Sequence, residues 1–190
     1  MKAILKVIQL YNNTNLIGKA KKNNREAQHV LYEEYSPKML SVCRYYIKDI
    51  QHAEEVMLNG FFKAFTNIKQ FEDKGSFEGW LRKIMVREAI SFLRQQKKIE
   101  FSLEDTNYAV EYQNDIYDKI NVAEIQELID TLPEGYRVVF VMYAIEGYKH
   151  QEIAKMLEIS EGTSKSQLSK ARKLLQKKLK ELNSKNYGTS

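Results

Sequence analysis

The chain has 190 residues, of which 43% are hydrophobic, with 30 Lys and Arg against 25 Asp and Glu. Two prolines, eight glycines and one cysteine argue against a turn-rich β fold, an internal disulfide framework and a multi-cysteine zinc site. No apolar run approaches the roughly 18 residues of a membrane span, and the first residues do not resemble a secretory signal. We therefore expect no membrane insertion and a cytoplasmic location.

The net charge of +5 hides a strong alternation of sign along the chain. Residues 1–98 carry a net charge of +8, residues 99–121 carry −5, residues 122–146 carry −4 and residues 147–190 carry +6. Two basic blocks around an acidic middle suggest two modules that face polyanions. Two solvated basic surfaces would produce the same pattern, so the motifs must decide between the two interpretations.

The first basic block predicts a bundle of helices. Asn23 and Asn24 separate two helices within residues 16–43, and Pro37 indicates the start of a third helix that runs to about residue 47. Asp49 is typical of the start of the next helix. The apolar face of that helix consists of Ala53, Val56, Met57, Phe61 and Ala64.

A polar loop over residues 67–75 precedes the last helix of this block, which Ser76 is placed to cap. The apolar face of the helix consists of Phe77, Leu81, Ile84, Met85, Ala89, Phe92 and Leu93. The other face carries, at positions i, i+3, i+7 and i+14, the side chains of Trp80, Lys83, Arg87 and Arg94. An aromatic ring among cations suits bases that stack while their phosphates are neutralised, although a lone tryptophan is more often part of a core.

Four features of this block occur together in one known family. They are HAEEV at residues 52–56, FFKAF at residues 61–65, Phe71, and GSFEGWLRKI at residues 75–84. In this combination the block resembles the central domain of the extracytoplasmic-function sigma factors, the small two-domain specificity subunits of bacterial RNA polymerase. The resemblance implies that the helix with the acidic pair docks on the largest polymerase subunit, while the loop and the last helix read the −10 promoter element.

The resemblance assigns polymerase binding to Glu54, Glu55, Leu58, Asn59 and Phe62. It assigns the −10 element to Asn67, Lys69, Phe71, Ser76, Trp80, Lys83 and Arg87. Within the loop, Phe71 and Lys69 would help to capture an unstacked base, and Asn67 would hydrogen-bond a base edge. Three positions depart from the usual family pattern: Leu58-Asn59 replaces Gln-Asp, and Arg87 replaces an asparagine.

Residues 99–121 form the acidic segment between the blocks. They lack sustained helical periodicity and contain Asp, Asn, Ser and Thr, so they are predicted to be a linker with room for a short docked segment at residues 101–103. The family resemblance implies that this linker follows the positively charged RNA-exit path of the polymerase.

The remaining residues predict a second helical domain. Residues 123–131 form a short amphipathic helix, and Pro133 is suited to the first turn of the next one. The VVFVM run at residues 138–142 would also suit a buried strand, but its helical neighbours favour a helix.

A helix-turn-helix pattern follows. Residues 151–157 supply a short helix, Glu158 and Ile159 a turn, and Ser160 the cap of a long helix from Glu161. A left-handed Glu158 at the turn, where glycine is common, would cost roughly 1 kcal/mol. The two helices would pack through Ile153, Ala154, Leu157 and Ile159 against Leu168, Ala171 and Leu175.

Six segments of this second domain occur in order in the same family. They are LPEGYR at 132–137, EGY at 146–148, QEIA at 151–154, ISEGT at 159–163, KS at 165–166 and AR at 171–172. Together they resemble the −35 domain of the sigma factors. By position, the major groove would receive Lys165, Ser166, Ser169 and Lys170, with Gln167 and Arg172 nearer the DNA backbone and Lys173 on the same outer face.

The sequence therefore predicts an all-α protein of two small helical domains, the second containing a helix-turn-helix. The predicted bounds are residues 16–98 and 122–182, with the acidic linker at 99–121 between them. The predicted function is that of a sigma factor, which binds core RNA polymerase, recognises the −10 and −35 elements of promoter DNA and helps to open it. Neither enzymatic activity, cofactor, metal nor small-molecule substrate is expected, and the family resemblance adds an anti-sigma factor as a candidate partner.

Two other classes of protein stay open. One is an autonomous helix-turn-helix regulator that binds duplex DNA without polymerase, and the other is a helical adaptor with basic faces for acidic partners. His29, His52 and His150 lie far apart in sequence, and Cys43 lies on an apolar helix face. We expect these four to be surface or core residues rather than metal ligands or catalytic groups.

Overall fold

The structure, a computed structural model, describes residues 14–96 and 122–186. Within these ranges the chain forms helices joined by short turns and no strand, so the predicted all-α class is confirmed. The chain divides into two compact units, residues 1–92 and residues 93–190, and each is described by itself. The predicted linker at residues 99–121 lies outside the described residues. None of the described helices combines the length and the apolar character that a membrane crossing requires.

From residue 14 onward, unit 1 contains four α-helices, the last of which continues three residues past the unit boundary, and one short 3₁₀ turn. The helices are α1 (residues 14–20), α2 (Arg25–Tyr46), α3 (Ile50–Thr66) and α4 (Phe77–Gln95), and the 3₁₀ turn spans Ile68–Gln70. Side-chain caps begin three of the helices, because they satisfy backbone N–H groups that have no partner within the helix. Asn24 accepts from the N–H of Ala27 at 2.8 Å. The predicted caps Asp49 and Ser76 are confirmed, accepting from the third residue beyond each at 2.9 and 3.0 Å.

Pro37 does not begin a new helix, and that prediction is wrong. Helix α2 runs through it without a break, because buried side chains form one stripe along the helix on both sides of the proline. The stripe includes Leu31, Tyr35, Met39 and Val42. A proline inside a helix costs about 3 kcal/mol through a lost hydrogen bond and a steric clash, but packing this stripe against α3 offsets that cost.

The core of unit 1 contains α2, α3 and α4. The predicted apolar face of α3 is buried from Ala53 to Ala64, and a glycine within it, Gly60, lies directly against the side chain of Met85 on α4. Cys43 is also buried, as expected for a core thiol. Burial, together with the nearby Glu88 carboxylate, raises the pKa of this thiol to about 12.

Between residues 122 and 186, unit 2 contains four α-helices. They are α5 (Val122–Asp130), α6 (Glu134–Phe140), α7 (His150–Leu157) and α8 (Glu161–Asn186). The VVFVM run is helical, as predicted, but α6 continues into a π-helical turn over Val141–Ile145 that the sequence did not indicate. Pro133 caps α6 one position earlier than predicted, which is within the ordinary uncertainty of a helix boundary.

One buried charge organises the first half of unit 2. Arg137 on α6 is 0% exposed, and its guanidinium donates to Glu134 at 3.1 Å and lies 3.8 Å from an oxygen of Asp130. Because Asp130 ends α5, this arginine ties α5 to α6. A buried arginine that lost these carboxylates would be an uncompensated charge, so the pairing fixes the register of the two helices.

The contact between Gly60 and Met85 gives a stability prediction. We expect Gly60→Val to lower the free energy of unfolding of unit 1 by about 1–3 kcal/mol, because the added carbons meet a packed side chain. The measurement is urea denaturation followed by the fluorescence of Trp80, which is the single tryptophan of the chain.

The matched control is Gly18→Val on α1, where an added Cβ meets no atom within 4 Å. This control should change the same free energy by less than about 0.5 kcal/mol. Equal effects of the two substitutions would contradict the close packing of α3 on α4.

Candidate functional surfaces

The helix-turn-helix of unit 2 has the predicted geometry. Helix α7 ends at Leu157, and Glu158 adopts the left-handed conformation, with φ 56° and ψ 42°. The predicted cap Ser160 accepts from the N–H of Thr163 at 2.9 Å and begins α8. Ile153 and Leu157 on α7 are buried, as are Leu168 and Ala171 on α8. These contacts fix the angle at which α8 leaves the turn.

The outward face of α8 carries most of the predicted −35 residues. Lys165 and Lys173 are exposed, while Ser166, Ser169, Lys170 and Arg172 are half-buried. The ammonium of Lys165 lies 2.8 Å from the Glu161 carboxylate, one turn earlier on the helix. The hydroxyl of Ser166 donates to the carbonyl of Thr163 at 3.0 Å. Five of these six side chains present donors or cations on one helix face, which suits base edges and phosphates. The sixth corrects the prediction: the hydroxyl of Ser169 is buried and has no hydrogen-bond partner among the described residues.

Gln167 is an exception and corrects the prediction that it lies near DNA. Its side chain is 0% exposed, and neither amide atom has a hydrogen-bond partner among the described residues. The cause is helical periodicity, because position 167 falls between Ser164 and Ala171 on the inward side of α8. We therefore remove Gln167 from the DNA-facing set.

A stacked cluster that sequence reasoning missed lies beside the helix-turn-helix. The rings of Tyr143 and His150 stack with centroids 4.6 Å apart, and the guanidinium of Arg172 lies 5.6 Å from the centre of the tyrosine ring. The Nδ1 atom of His150 also lies 2.9 Å from the hydroxyl of buried Ser164. No sequence signal links these residues, because they come from the π-helical turn, the start of α7 and the middle of α8.

Charged neighbours on α8 act on His150. Partial burial lowers the pKa of its imidazole, and the positive charge of Lys165 lowers the pKa further. The Glu161 carboxylate opposes this shift, and Arg172 adds to it. The histidine is therefore more readily neutral than an isolated one, and it reports the electrostatic potential at the start of α8.

In unit 1, the predicted −10 loop is more ordered than its polar sequence suggests. The side-chain amide of Asn67 donates to the Lys63 carbonyl at 2.9 Å and accepts from Gln70 at 3.2 Å, so it caps α3 and holds the 3₁₀ turn. Lys69 is exposed. The side chain of Ser76 serves as the cap of α4. Asn67 and Ser76, both predicted to contact DNA, therefore also have structural roles, Asn67 at the end of α3 and Ser76 at the start of α4.

The predicted base-capturing ring, Phe71, lies in the core beneath the loop. It is 5% exposed and packs against Phe77 and Trp80, with centroid distances of 5.5 and 5.6 Å. The prediction that Phe71 is available to a base is therefore corrected: apolar burial against two aromatic rings outweighs exposure in a polar loop. The rings of Phe71 and Phe77 form the floor of the loop.

On the α4 stripe, Trp80 is partly a core residue and partly a surface residue. Trp80 is half-buried and belongs to this aromatic cluster, while part of its ring still reaches the surface. Lys83 and Arg87, one and two turns further along, are exposed. A partly exposed ring next to two cations can stack on a base while the cations neutralise phosphates.

The predicted polymerase-binding residues form one exposed face of α3. Glu54, Glu55 and Asn59 are exposed, and between them lie Leu58, 52% exposed, and Phe62, 72% exposed. Leu58 and Phe62 lie one turn apart, so together they form an exposed apolar patch of the kind that partner-binding surfaces contain. Two carboxylates beside two apolar side chains suit a partner that is basic around an apolar centre.

The described residues hold no group of three or more His, Cys, Asp or Glu side chains arranged to bind a metal ion.

Comparison with known proteins finds the same two modules. The family model "Sigma-70 region 2" matches residues 31–99, and "Sigma-70, region 4" matches residues 123–175. The chain is 26% identical over 179 residues to the ECF RNA polymerase sigma factor SigW of Bacillus subtilis, which covers 87% of this chain and 96% of that protein. It is 29% identical over 131 residues to the sigma factor SigV of the same organism, with 68% of this chain and 77% of that protein covered.

A solved structure is similar in fold. It is the sigma factor RpoE of Bartonella quintana in complex with the anti-sigma factor NepR, with a TM-score of 0.51 at 21% identity, covering 79% of this chain and 96% of that chain. The two family models together match more than half of the residues, one in each unit. The chain belongs to the extracytoplasmic-function group of the sigma-70 family.

The electrostatics of His150 give a prediction for unit 2. We expect Lys165→Met to raise the pKa of His150, because it removes a positive charge and leaves the Glu161 carboxylate without its ion pair. The measurement is the pH titration of the histidine ring protons by NMR, with His150→Gln to assign the signal. An unchanged or lower pKa would contradict the arrangement at the start of α8.

The lowered pKa of His150 also makes the folding stability of unit 2 depend on pH. Because folding lowers the pKa of His150 from 6.5, the unfolded chain takes up this proton more readily as the pH falls below that value. His150 therefore contributes stability that is present above pH 6.5 and is lost as the pH falls through its folded pKa. The variant His150→Gln lacks this titrating group, so its free energy of unfolding should fall less than that of the wild type as the pH drops below 6.5.

Proposed function

We infer that this protein is a sigma factor: it binds core bacterial RNA polymerase and directs initiation at promoters by recognising a −10 and a −35 element and helping to open the DNA. The observation that carries this inference is that region 2 and region 4 modules occur in one chain, and each has an exposed, chemically suitable surface. A sigma factor acts by binding, so we propose no catalytic residue, and its place of action is the cytoplasm, where polymerase meets DNA.

Recognition of the −35 element falls to the outward face of α8. Lys165, Ser166 and Lys170 are the proposed base-reading residues, with Arg172 and Lys173 on phosphates. Their support is position: they occupy the first half of a helix that follows the turn of a helix-turn-helix, the part that enters the major groove in such motifs. Each good base contact would discriminate by about 1–3 kcal/mol.

Recognition of the −10 element falls to the loop of unit 1 and to the stripe on α4. Trp80 would offer a ring face to an unstacked base, and Lys69, Lys83 and Arg87 would hold the backbone. Phe71 acts from beneath, as the support of Trp80. Extruding a base costs a few kcal/mol, and stacking and enclosure offset that cost.

Polymerase binding falls to α3, through Glu54, Glu55, Leu58, Asn59 and Phe62. The acidic linker would follow the positively charged RNA-exit path, where its net charge of −5 imitates nucleic acid. An anti-sigma factor is a proposed further partner, since the structurally similar RpoE is bound to one.

The experiment that separates the alternatives uses purified full-length protein and core polymerase. Together they should start transcripts from discrete sites on genomic DNA that core polymerase alone ignores, and mapping the 5′ ends yields both promoter elements. If the protein binds duplex DNA tightly by itself but adds no initiation to core polymerase, it is an autonomous regulator and the sigma assignment fails.

Two lysines test the −35 surface. We expect Lys165→Ala with Lys170→Ala to lower transcription from mapped promoters roughly tenfold or more, because two groove contacts are lost. Binding to core polymerase should remain unchanged. The matched control, Lys155→Ala with Lys180→Ala, removes the same charge from elsewhere in unit 2 and should have a much smaller effect. Equal loss of promoter use in the two double variants would show that only net charge matters.

Phe62 tests the polymerase surface. Since its side chain is 72% exposed, Phe62→Ala should leave the stability of unit 1 unchanged while weakening core binding roughly tenfold or more. The measurement is a titration of labelled protein with core polymerase. Val30→Ala on α2 is the control, because Val30 is another exposed apolar residue of unit 1. Unchanged affinity in Phe62→Ala would remove α3 from the interface.

A further inference from the structure

A lysine outside all the predicted sites contacts the proposed −10 loop. Lys21 follows α1, and its ammonium lies 2.8 Å from the carboxylate of Asp73 at the tip of the loop. The same ammonium lies 5.3 Å from the centre of the Phe71 ring, which is in the middle of the loop. The lysine side chain is only 24% exposed. One cation thus contacts two residues of the loop, Phe71 and Asp73, and Asp73 is 52 residues away in sequence.

The second half of the loop, residues 72–76, needs such a contact because its own residues give it little support. Residues 72–76 are all exposed, so no apolar side chain anchors the chain between Phe71 and Phe77. Two of its residues are left-handed, Asp73 with φ 58° and Gly75 with φ 111°. A left-handed residue other than glycine is uncommon, although aspartate adopts this conformation more readily than most, so contacts from outside the loop help to hold Asp73 there. The other ion pair of the loop, between Lys74 and Glu72, is local and exposed.

We propose that Lys21 is a positioning residue that latches the −10 loop, so that the loop is already ordered when a promoter base is extruded toward it. The latch is the Lys21–Asp73 ion pair, together with the packing of the lysine over Phe71. A loop ordered in advance spends less of the binding free energy on its own ordering when it captures the base. The inference rests on the proposed function for the role of the loop, but the latch itself is a property of unit 1 alone.

The first test needs no DNA. Trp80 is the single tryptophan of the chain, and its ring packs against Phe71, directly under the latch. In Lys21→Met, acrylamide should quench Trp80 fluorescence more strongly than in the wild type, because the aromatic cluster is loosened. Asp73→Asn should have the same effect, and this substitution adds no strain, since asparagine tolerates the left-handed conformation.

The matched control is Lys38→Met. Lys38 forms an ion pair of the same length, 2.8 Å, with Glu78, and this pair joins α2 to α4 without touching the loop. Its removal should leave the quenching unchanged. If Lys38→Met and Lys21→Met behave alike, or if neither Lys21→Met nor Asp73→Asn changes the quenching, the latch is refuted.

The second test measures the consequence for initiation with the complete holoenzyme. On a promoter mapped with this protein, Lys21→Met should slow open-complex formation about two- to fivefold, the range that an ion pair of this exposure supports. Permanganate reactivity of unpaired thymines follows the opening. Core binding and closed-complex affinity should not change, and Lys21→Arg should retain the wild-type rate.

The two variants also separate a latch from a direct DNA contact. If Lys21 acts through Asp73, then Lys21→Met, Asp73→Asn and the double variant all show the same defect. If instead Lys21 binds a DNA phosphate, Asp73→Asn leaves opening unchanged or speeds it, and the proposal is overturned. Should the wild-type protein give no initiation with core polymerase, the sigma assignment fails, while the quenching measurement still decides whether the latch exists.

Discussion

The separation of a buried face from an exposed face on helices α3 and α8 is the constraint on which the rest of the molecule depends. Each unit has only a few helices, so each helix can bury one side and no more. On α3, burial of Ala53 to Ala64 leaves the acidic and apolar residues on the outside. On α8, burial of Leu168 and Ala171 directs the basic residues outward. The surfaces proposed to bind partners are therefore the helix faces that the cores leave exposed.

This constraint explains why a small net charge accompanies two strongly charged surfaces. The basic residues of unit 2 cluster on α8, and the acidic residues that precede them include Asp130 and Glu134, whose carboxylates pair with buried Arg137. The acidic groups therefore stabilise the helical packing, while the basic groups remain at the surface for a polyanion. In unit 2, Asp130 and Glu134 thus serve internal packing, while most basic side chains of α8 lie on the surface.

Much of the fold could be predicted because its signals are local. The caps Asp49, Ser76 and Ser160, and the left-handed Glu158, each follow from a residue type at a helix end. The prediction failed where packing decides between local alternatives. Pro37 stays inside α2 because a buried stripe continues across it, and the π-helical turn after α6 has no short-range signature.

The candidate surfaces show the same division between local and non-local information. The exposed faces of α3 and α8 could be predicted from helical spacing. Gln167 was assigned to the wrong face of α8 because it lies at the edge between the two faces, where a difference of one position decides whether a side chain is buried. The prediction for Phe71 was wrong because it rested on the ring's place in the loop implied by the resemblance, whereas the ring packs against Phe77 and Trp80. Lys21 and the stack of His150 on Tyr143 could not be found from sequence, since each joins elements that are distant along the chain.

The central claim is that one chain places two DNA-reading surfaces on two promoter elements when it is bound to polymerase. Site-specific photocrosslinking tests it directly, because Cys43 is buried with a raised pKa and a cysteine introduced at an exposed position can be labelled selectively. With core polymerase present, a crosslinker at Lys165→Cys should react with DNA at the −35 element, and one at Lys83→Cys with DNA at the −10 element. Crosslinks from both positions to the same element, or equal crosslinking without polymerase, would contradict the account.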